Sequence, residues 1–145
     1  MSRWVIEEIV MSRSGKAFSD PVESAYNPTV MDHFHNPRNV GEAKNANAVA
    51  SVLNDVCGDM TKLSLRIENG RIAEARFKTF GCGAAIASAS MTTVLLAGKT
   101  IEEAAKLTNL DVVAALGGLP EPKVKCSVTA EQAVRGALQS YAKGS

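Results

Sequence analysis

The chain has 145 residues, 46% of them apolar and 21% charged, with a formal net charge of +1. That length suits one domain whose core needs no disulfide staples. The balanced charge and 5% aromatic content exclude a bulk nucleic-acid binder, and the apolar content excludes a disordered chain. The most apolar stretch, Cys82 to Gly98, carries Ser88, Ser90, Thr92 and Thr93 and falls short of the ~20 residues of a membrane span, so a buried helix is expected there.

Residues 1–27 read as an extension to a main domain at 28–143. Trp4, Val5, Ile6, Ile9 and Val10 suit one or two helical turns, but Glu7 and Glu8 interrupt them, which a secretory leader would not tolerate. Asp20 and Glu23 count against a transit peptide. The expected location is therefore cytoplasmic, in a reducing compartment where cysteines serve as ligands or nucleophiles. Asn27 and Pro28 predict a capped helix start with Val30, Met31 and Phe34 as its apolar face, ended by Asn36-Pro37. Three strands are predicted next. The first is Ala48 to Leu53. The second is Lys62 to Glu68, in which Leu63, Leu65 and Ile67 alternate with polar residues. The third is Arg71 to Phe80, joined to the second through the hairpin turn Asn69-Gly70. The shift from Ile72 to Ala75 and Phe77 breaks strict alternation and points to a bulge.

The pattern then turns helical. Cys82 to Ala97 is dense in small residues. Thr100-Ile101-Glu102-Glu103 forms a capping box opening a helix to about Leu107, and Thr108 or Asn109 caps another to about Leu116. Gly117-Gly118 ends it, Leu119 to Pro122 reads as an extended loop, and Cys126 to Tyr141 is the last helix. Strands first and helices afterwards give an α+β fold: a three-stranded antiparallel sheet with helices on one face.

Each cysteine falls at a junction. Cys57 lies in the turn between the first two strands, Cys82 follows the third, and Cys126 opens the last helix. A helix N-terminus favours the thiolate, which is the form that binds metal or attacks sulfur. Gly58, Gly81 and Gly83 leave the sulfurs unshielded. Three thiolates with Asp59 as an oxygen donor suit zinc, copper(I) or an iron–sulfur cluster. The intervals are long, 24 residues between Cys57 and Cys82 and 43 between Cys82 and Cys126, without the short knuckles of a zinc ribbon. The plainer reading is three cysteines buried as small apolar residues, and the flanking glycines and helix starts weigh against it.

The segments Cys57-Gly58-Asp59, Phe77-Lys78-Thr79-Phe80-Gly81-Cys82-Gly83-Ala84-Ala85-Ile86-Ala87-Ser88, Val30-Met31-Asp32-His33-Phe34, Asn36-Pro37-Arg38-Asn39-Val40-Gly41 and Lys125-Cys126-Ser127 closely resemble the IscU/NifU N-terminal family of iron–sulfur cluster scaffolds. The resemblance runs from about Tyr26 to Lys143. It implies the same α+β fold and a protein without classical turnover. Such a scaffold takes persulfide sulfur from a cysteine desulfurase, combines it with iron into a [2Fe-2S] cluster and passes the cluster to acceptor proteins. It implies Cys57, Asp59, Cys82 and Cys126 as ligands and Cys126 as persulfide acceptor, with zinc as occupant of the cluster-free form.

The chain departs from the family at Lys125, where histidine is usual; an ammonium has no lone pair to give a metal. Lys125 is expected either to modulate the site, pairing with Asp59 or favouring thiolate, or to be a solvated charge. Asp59, a second subunit or an exogenous thiol then supplies the fourth ligand, and a homodimer with the cluster near its interface is one expectation. Glu121 also separates Pro120 from Pro122, which departs from the paired prolines read by an Hsp70-type chaperone.

Two alternatives share the pattern: a zinc-dependent sulfurtransferase working with a desulfurase, and a structural zinc module. Elsewhere, His33 and His35, two apart, do not share a helix face and are expected at the surface. Asp55 reads as part of the turn before Cys57, and Met60 and Met91 as packing residues. Lys62, Arg66, Arg71, Arg76 and Lys78 read as a solvated sheet face. No phosphate-cradling glycine motif is present.

Overall fold

The structure is a computed structural model that describes residues 26–54 and 58–144. Cys57, Asp55 and nearly all of the 1–27 extension, through residue 25, lie outside the described residues. In chain order the elements are α1 (Pro28–His35), β1 (Ala48–Asn54), β2 (Asp59–Glu68), β3 (Arg71–Phe80), α2 (Gly83–Leu96), α3 (Ile101–Ala105), α4 (Asn109–Ala115), α5 (Glu121–Val124) and α6 (Cys126–Gly144). The expected α+β architecture holds: the strands form an antiparallel sheet in the order β1-β2-β3.

Alternation decides which side of the sheet is buried. Leu63, Leu65 and Ile67 of β2 face inward with Phe77, Ala75 and Ile72 of β3 as cross-strand partners. Ile72 and Ala75 have opposite parity, so both reach the same face only through an extra residue. The register supplies it between Arg66↔Glu74 and Ile67↔Ile72, where Ala73 is bulged out. The outward side carries Lys62 and Lys78, both on Glu42 Oε2 at 3.1 and 3.0 Å, and Arg76 on Glu74 at 2.5 Å. The expected solvated face is thus a paired one, and Lys78 itself is buried.

Helix α2 packs against β3, α1 and α6, and 12 of its residues are buried. Small side chains allow that close approach. Two of its hydroxyls are satisfied locally, Thr92 donating to Ser88 O and Thr93 to Ser90 O, both at 2.7 Å, whereas the buried Ser88 Oγ has no partner among the described residues. Helix α6 lies across β1, with Gly136 over Ala50. Asn27 caps α1 by accepting from Val30 N at 2.9 Å, and Thr100 and Thr108 complete capping boxes on α3 and α4.

Three expectations are corrected. Glu121 to Val124 forms a helical turn rather than continuing an extended loop, because Pro122 sits in the first turn, where its missing N–H leaves no bond unmade. His33 is buried, not at the surface: its Nδ1 lies 2.7 Å from Ser90 Oγ, which also accepts from Arg38 N at 2.9 Å. Met91 packs in the core as expected, but Met60 is exposed, since its parity turns it to the open face of β2.

A candidate metal centre of thiol and carboxylate groups

Three segments distant in sequence meet at one end of the sheet. Asp59 is the first residue of β2. Cys82 is the N-cap of α2, with extended backbone (φ −77°, ψ 171°). Cys126 is the first residue of α6, reached directly from Lys125 at the end of α5. Asp59 and Cys126 are almost fully buried and Cys82 is partly exposed. The ligand atoms of all three lie within 4.8 Å of one another.

The contacts are specific. Cys82 N donates to Asp59 Oδ1 at 3.3 Å, so the backbone at the helix start fixes the carboxylate. Cys82 Sγ lies 4.0 Å from Asp59 Oδ2 and 3.5 Å from Cys126 Sγ, a separation of two thiols rather than a disulfide. Gly81 is required by space. A Cβ there would run into the Asp59 carboxylate, with Cγ only 2.8 Å away. Cys126 is held by its neighbours: Ser127 donates to Val124 O at 2.6 Å and accepts from Asn109 at 3.1 Å, and Asn109 N donates to Glu131 at 2.6 Å.

Hydrogen bonding to Cys126 brings the Cys82 thiol down to about 7, against burial and the Asp59 charge, with further support from Ala85 N and Lys123. Asp59 moves upward. Burial dominates over the Cys82 N–H, the Cys126 thiol and Lys123, which all act to lower it. The centre therefore has a thiolate available near neutral pH beside a carboxyl whose ionisation is costly without a cation. Two soft sulfurs and one oxygen, tightly grouped, fit a thiophilic ion or an iron–sulfur cluster.

Of the residues singled out from the sequence, Asp59, Cys82 and Cys126 are brought together. Lys125 is exposed at the end of α5, and the cation felt by Asp59 and Cys82 is Lys123 instead. Cys57 lies outside the described residues. Sequence reasoning missed Lys123 and the packing role of Gly81; the prolines flanking Glu121 point to an extended loop and so hide the short helix α5 that carries Lys123.

A sheet end closed by two helix N-termini, with two cysteines and an aspartate grouped at ligating distance, defines an α+β domain with a candidate metal centre. The family model for the NifU-like N-terminal domain matches residues 25–145, and the chain belongs to that family. It is similar to the iron–sulfur cluster assembly scaffold protein IscU 1 of Archaeoglobus fulgidus, 49% identical over 116 residues, 80% of this chain and 76% of the relative. It is also similar to the iron–sulfur cluster assembly enzyme IscU of Drosophila melanogaster, 42% identical over 137 residues, 92% and 88% of the two chains. The crystal structure of a nitrogen-fixing NifU-like protein (N-terminal) from Brucella abortus shares the fold, with a TM-score of 0.69 at 17% identity over 86% of this chain and 99% of that one. Among the described residues no helix is long and apolar enough to cross a membrane.

Proposed function

We propose that this protein is a scaffold on which a [2Fe-2S] cluster is assembled from iron and desulfurase-delivered sulfur and then passed to acceptor proteins. The cluster is cargo, and the protein supplies ligands and geometry rather than turnover. The observation that carries this reading is the convergence of Asp59, Cys82 and Cys126 ligand atoms within 4.8 Å. Family membership and relatives named as cluster assembly scaffolds support it. Cys57 is the proposed fourth ligand, placed by its motif two residues before Asp59. A thiolate–carboxylate site suits transient holding, since a hard oxygen binds iron of a sulfur-rich cluster less firmly than a fourth thiolate.

Cys126 is the proposed persulfide acceptor. Its thiolate attacks the outer sulfur of the desulfurase persulfide and releases the desulfurase thiolate. Cys126 is 2% exposed, so the reaction requires the α5–α6 junction to yield. Mass spectrometry after a desulfurase reaction should place the extra sulfur on Cys126; finding it on Cys82 alone would reassign the role.

The deciding experiment is anaerobic reconstitution with iron, cysteine and a cysteine desulfurase, read by visible absorption and metal analysis. Sulfide-to-iron bands with about two irons per cluster are expected, and their loss in Cys82→Ala, Cys126→Ala and Asp59→Ala. The same donors also fit tetrahedral zinc. Tight zinc with no cluster under any condition would establish the second reading, a zinc-bound sulfur acceptor.

A further inference from the structure

Cys82 Sγ lies 3.5 Å from Cys126 Sγ, and among the described residues these are the two free thiols. They come from separate elements, the N-cap of α2 and the first residue of α6. A closure of about 1.5 Å brings the sulfurs to disulfide distance. Cys126 is buried, whereas Cys82 is partly exposed at the mouth of the site. In the proposed function Cys126 carries a persulfide, and Cys126 Sγ is then its inner sulfur. That inner atom is the one Cys82 faces, at the separation of a near-attack pair. Which sulfur is attacked decides the product. Attack on the outer atom would only move the persulfide to Cys82. Attack on the inner atom joins the two cysteines and expels the outer sulfur.

We propose that Cys82 is the resolving thiol of the Cys126 persulfide, discharging it as hydrosulfide when sulfur reaches a site that holds no iron. The proposal rests on Cys126 as sulfur acceptor. In this step the Cys82 thiolate forms a bond to Cys126 Sγ. The bond from Cys126 Sγ to the outer sulfur breaks, and that sulfur leaves as HS⁻ with the electron pair and its own hydrogen. The outer sulfur is reduced to sulfide and the two cysteines are oxidised to a disulfide, so no outside oxidant or reductant enters. Two equivalents of a small thiol restore the pair by exchange and reopen the site. Once Cys82 ligates iron, its sulfur lone pair is committed and the attack is closed, so sulfur delivered then is kept. The cysteine pair thereby sets the order of loading, iron ahead of sulfur.

The test is an anaerobic time course on the reduced, metal-free chain, after a cysteine desulfurase and cysteine have loaded it and been removed. Intact mass, peptide mapping without reductant and a hydrosulfide assay are read together. One added sulfur should appear on Cys126. The mass should then fall to that of the starting chain less two hydrogens, with a Cys82–Cys126 cross-linked peptide and equimolar hydrosulfide. Cys82→Ser should retain the added sulfur and release no hydrosulfide. Ferrous iron supplied before the desulfurase should have the same effect on the unaltered chain, which tests the proposal without a substitution. Cys57→Ser should still form the cross-link. Persistence of the added sulfur on Cys126 in the unaltered metal-free chain would overturn the proposal and leave the scaffold reading standing. So would a cross-link that involves Cys57 instead, or one formed without hydrosulfide. Sulfur that never reaches Cys126 and never yields hydrosulfide would overturn the acceptor assignment as well.

Discussion

Asp59 and His33 are both buried ionisable side chains, and burial moves them in opposite directions: Asp59 up, His33 down. For His33, desolvation dominates, the Arg38 charge adds to it and Asp32 opposes it. An imidazole lowered in the fold binds fewer protons there than in the unfolded chain. Its contribution is complete above the ordinary imidazole value of 6.5 and is lost as pH falls below it. Urea unfolding of the apo protein from about pH 7.5 to about pH 5.5 should show declining stability, and His33→Asn should flatten that slope. Asp59 has the opposite sign, since its raised value makes the native state bind more protons as pH falls; its window begins at 3.8 and extends upward, so the comparison is best made in an Asp59→Asn background. The candidate ligands were legible in the sequence, but the burial of His33 was not. Cysteines beside glycines at element junctions declare themselves locally, whereas the partner that buries His33 is Ser90, 57 residues away.

At the scale of elements, the β3–α2 junction shows how two glycines of one motif differ. Gly81 faces the Asp59 carboxylate, whereas a Cβ on Gly83 would meet the Phe34 ring at 3.4 Å, an ordinary contact. Gly81→Ala should push Asp59 from its bond with Cys82 N and reduce metal retention at least as much as Asp59→Ala. Gly83→Ala should bind metal normally and unfold within about 1 kcal/mol of the parent. Titration with a chromophoric chelator and urea denaturation separate the two effects. The strands and capping boxes were legible because they rest on local periodicity and on residues three apart. The bulge was legible too, from the parity break between Ile72 and Ala75. The turn Glu121–Val124 was not, because two prolines suggest extension while the second sits where a helix tolerates it. Without that turn, neither the place of Lys123 nor the exposure of Lys125 follows from their positions in the sequence.

At the scale of the molecule, Phe77 joins the sheet to its surroundings. It pairs with Leu63 on β2, its backbone bonds Asn39 and Gly41 on the outer edge of β3, and its side chain is fully buried. Phe77→Ala should cost about 3–5 kcal/mol, a large share of the stability of a domain of this size, and lower the urea midpoint accordingly. The packing of α2 and α6 on the sheet and of α1 on α2 could be read only as helices on one face. Helix α2 has 12 of its 14 residues buried and so lacks the polar stripe that would reveal which neighbours it has.

The spacing of the ligands along the chain has one more effect. Asp59 and Cys82 are 23 residues apart, and Cys82 and Cys126 are 44 apart. Cargo gripped by all three acts as a removable cross-link that closes two long loops and denies the unfolded chain much of its freedom. Loading should therefore slow digestion by a nonspecific protease, and unloading should restore it, with Cys126→Ala digested at the empty rate whatever metal is supplied. On the proposed function, delivery would then change the carrier as well as the recipient, leaving a looser molecule than the one that arrived.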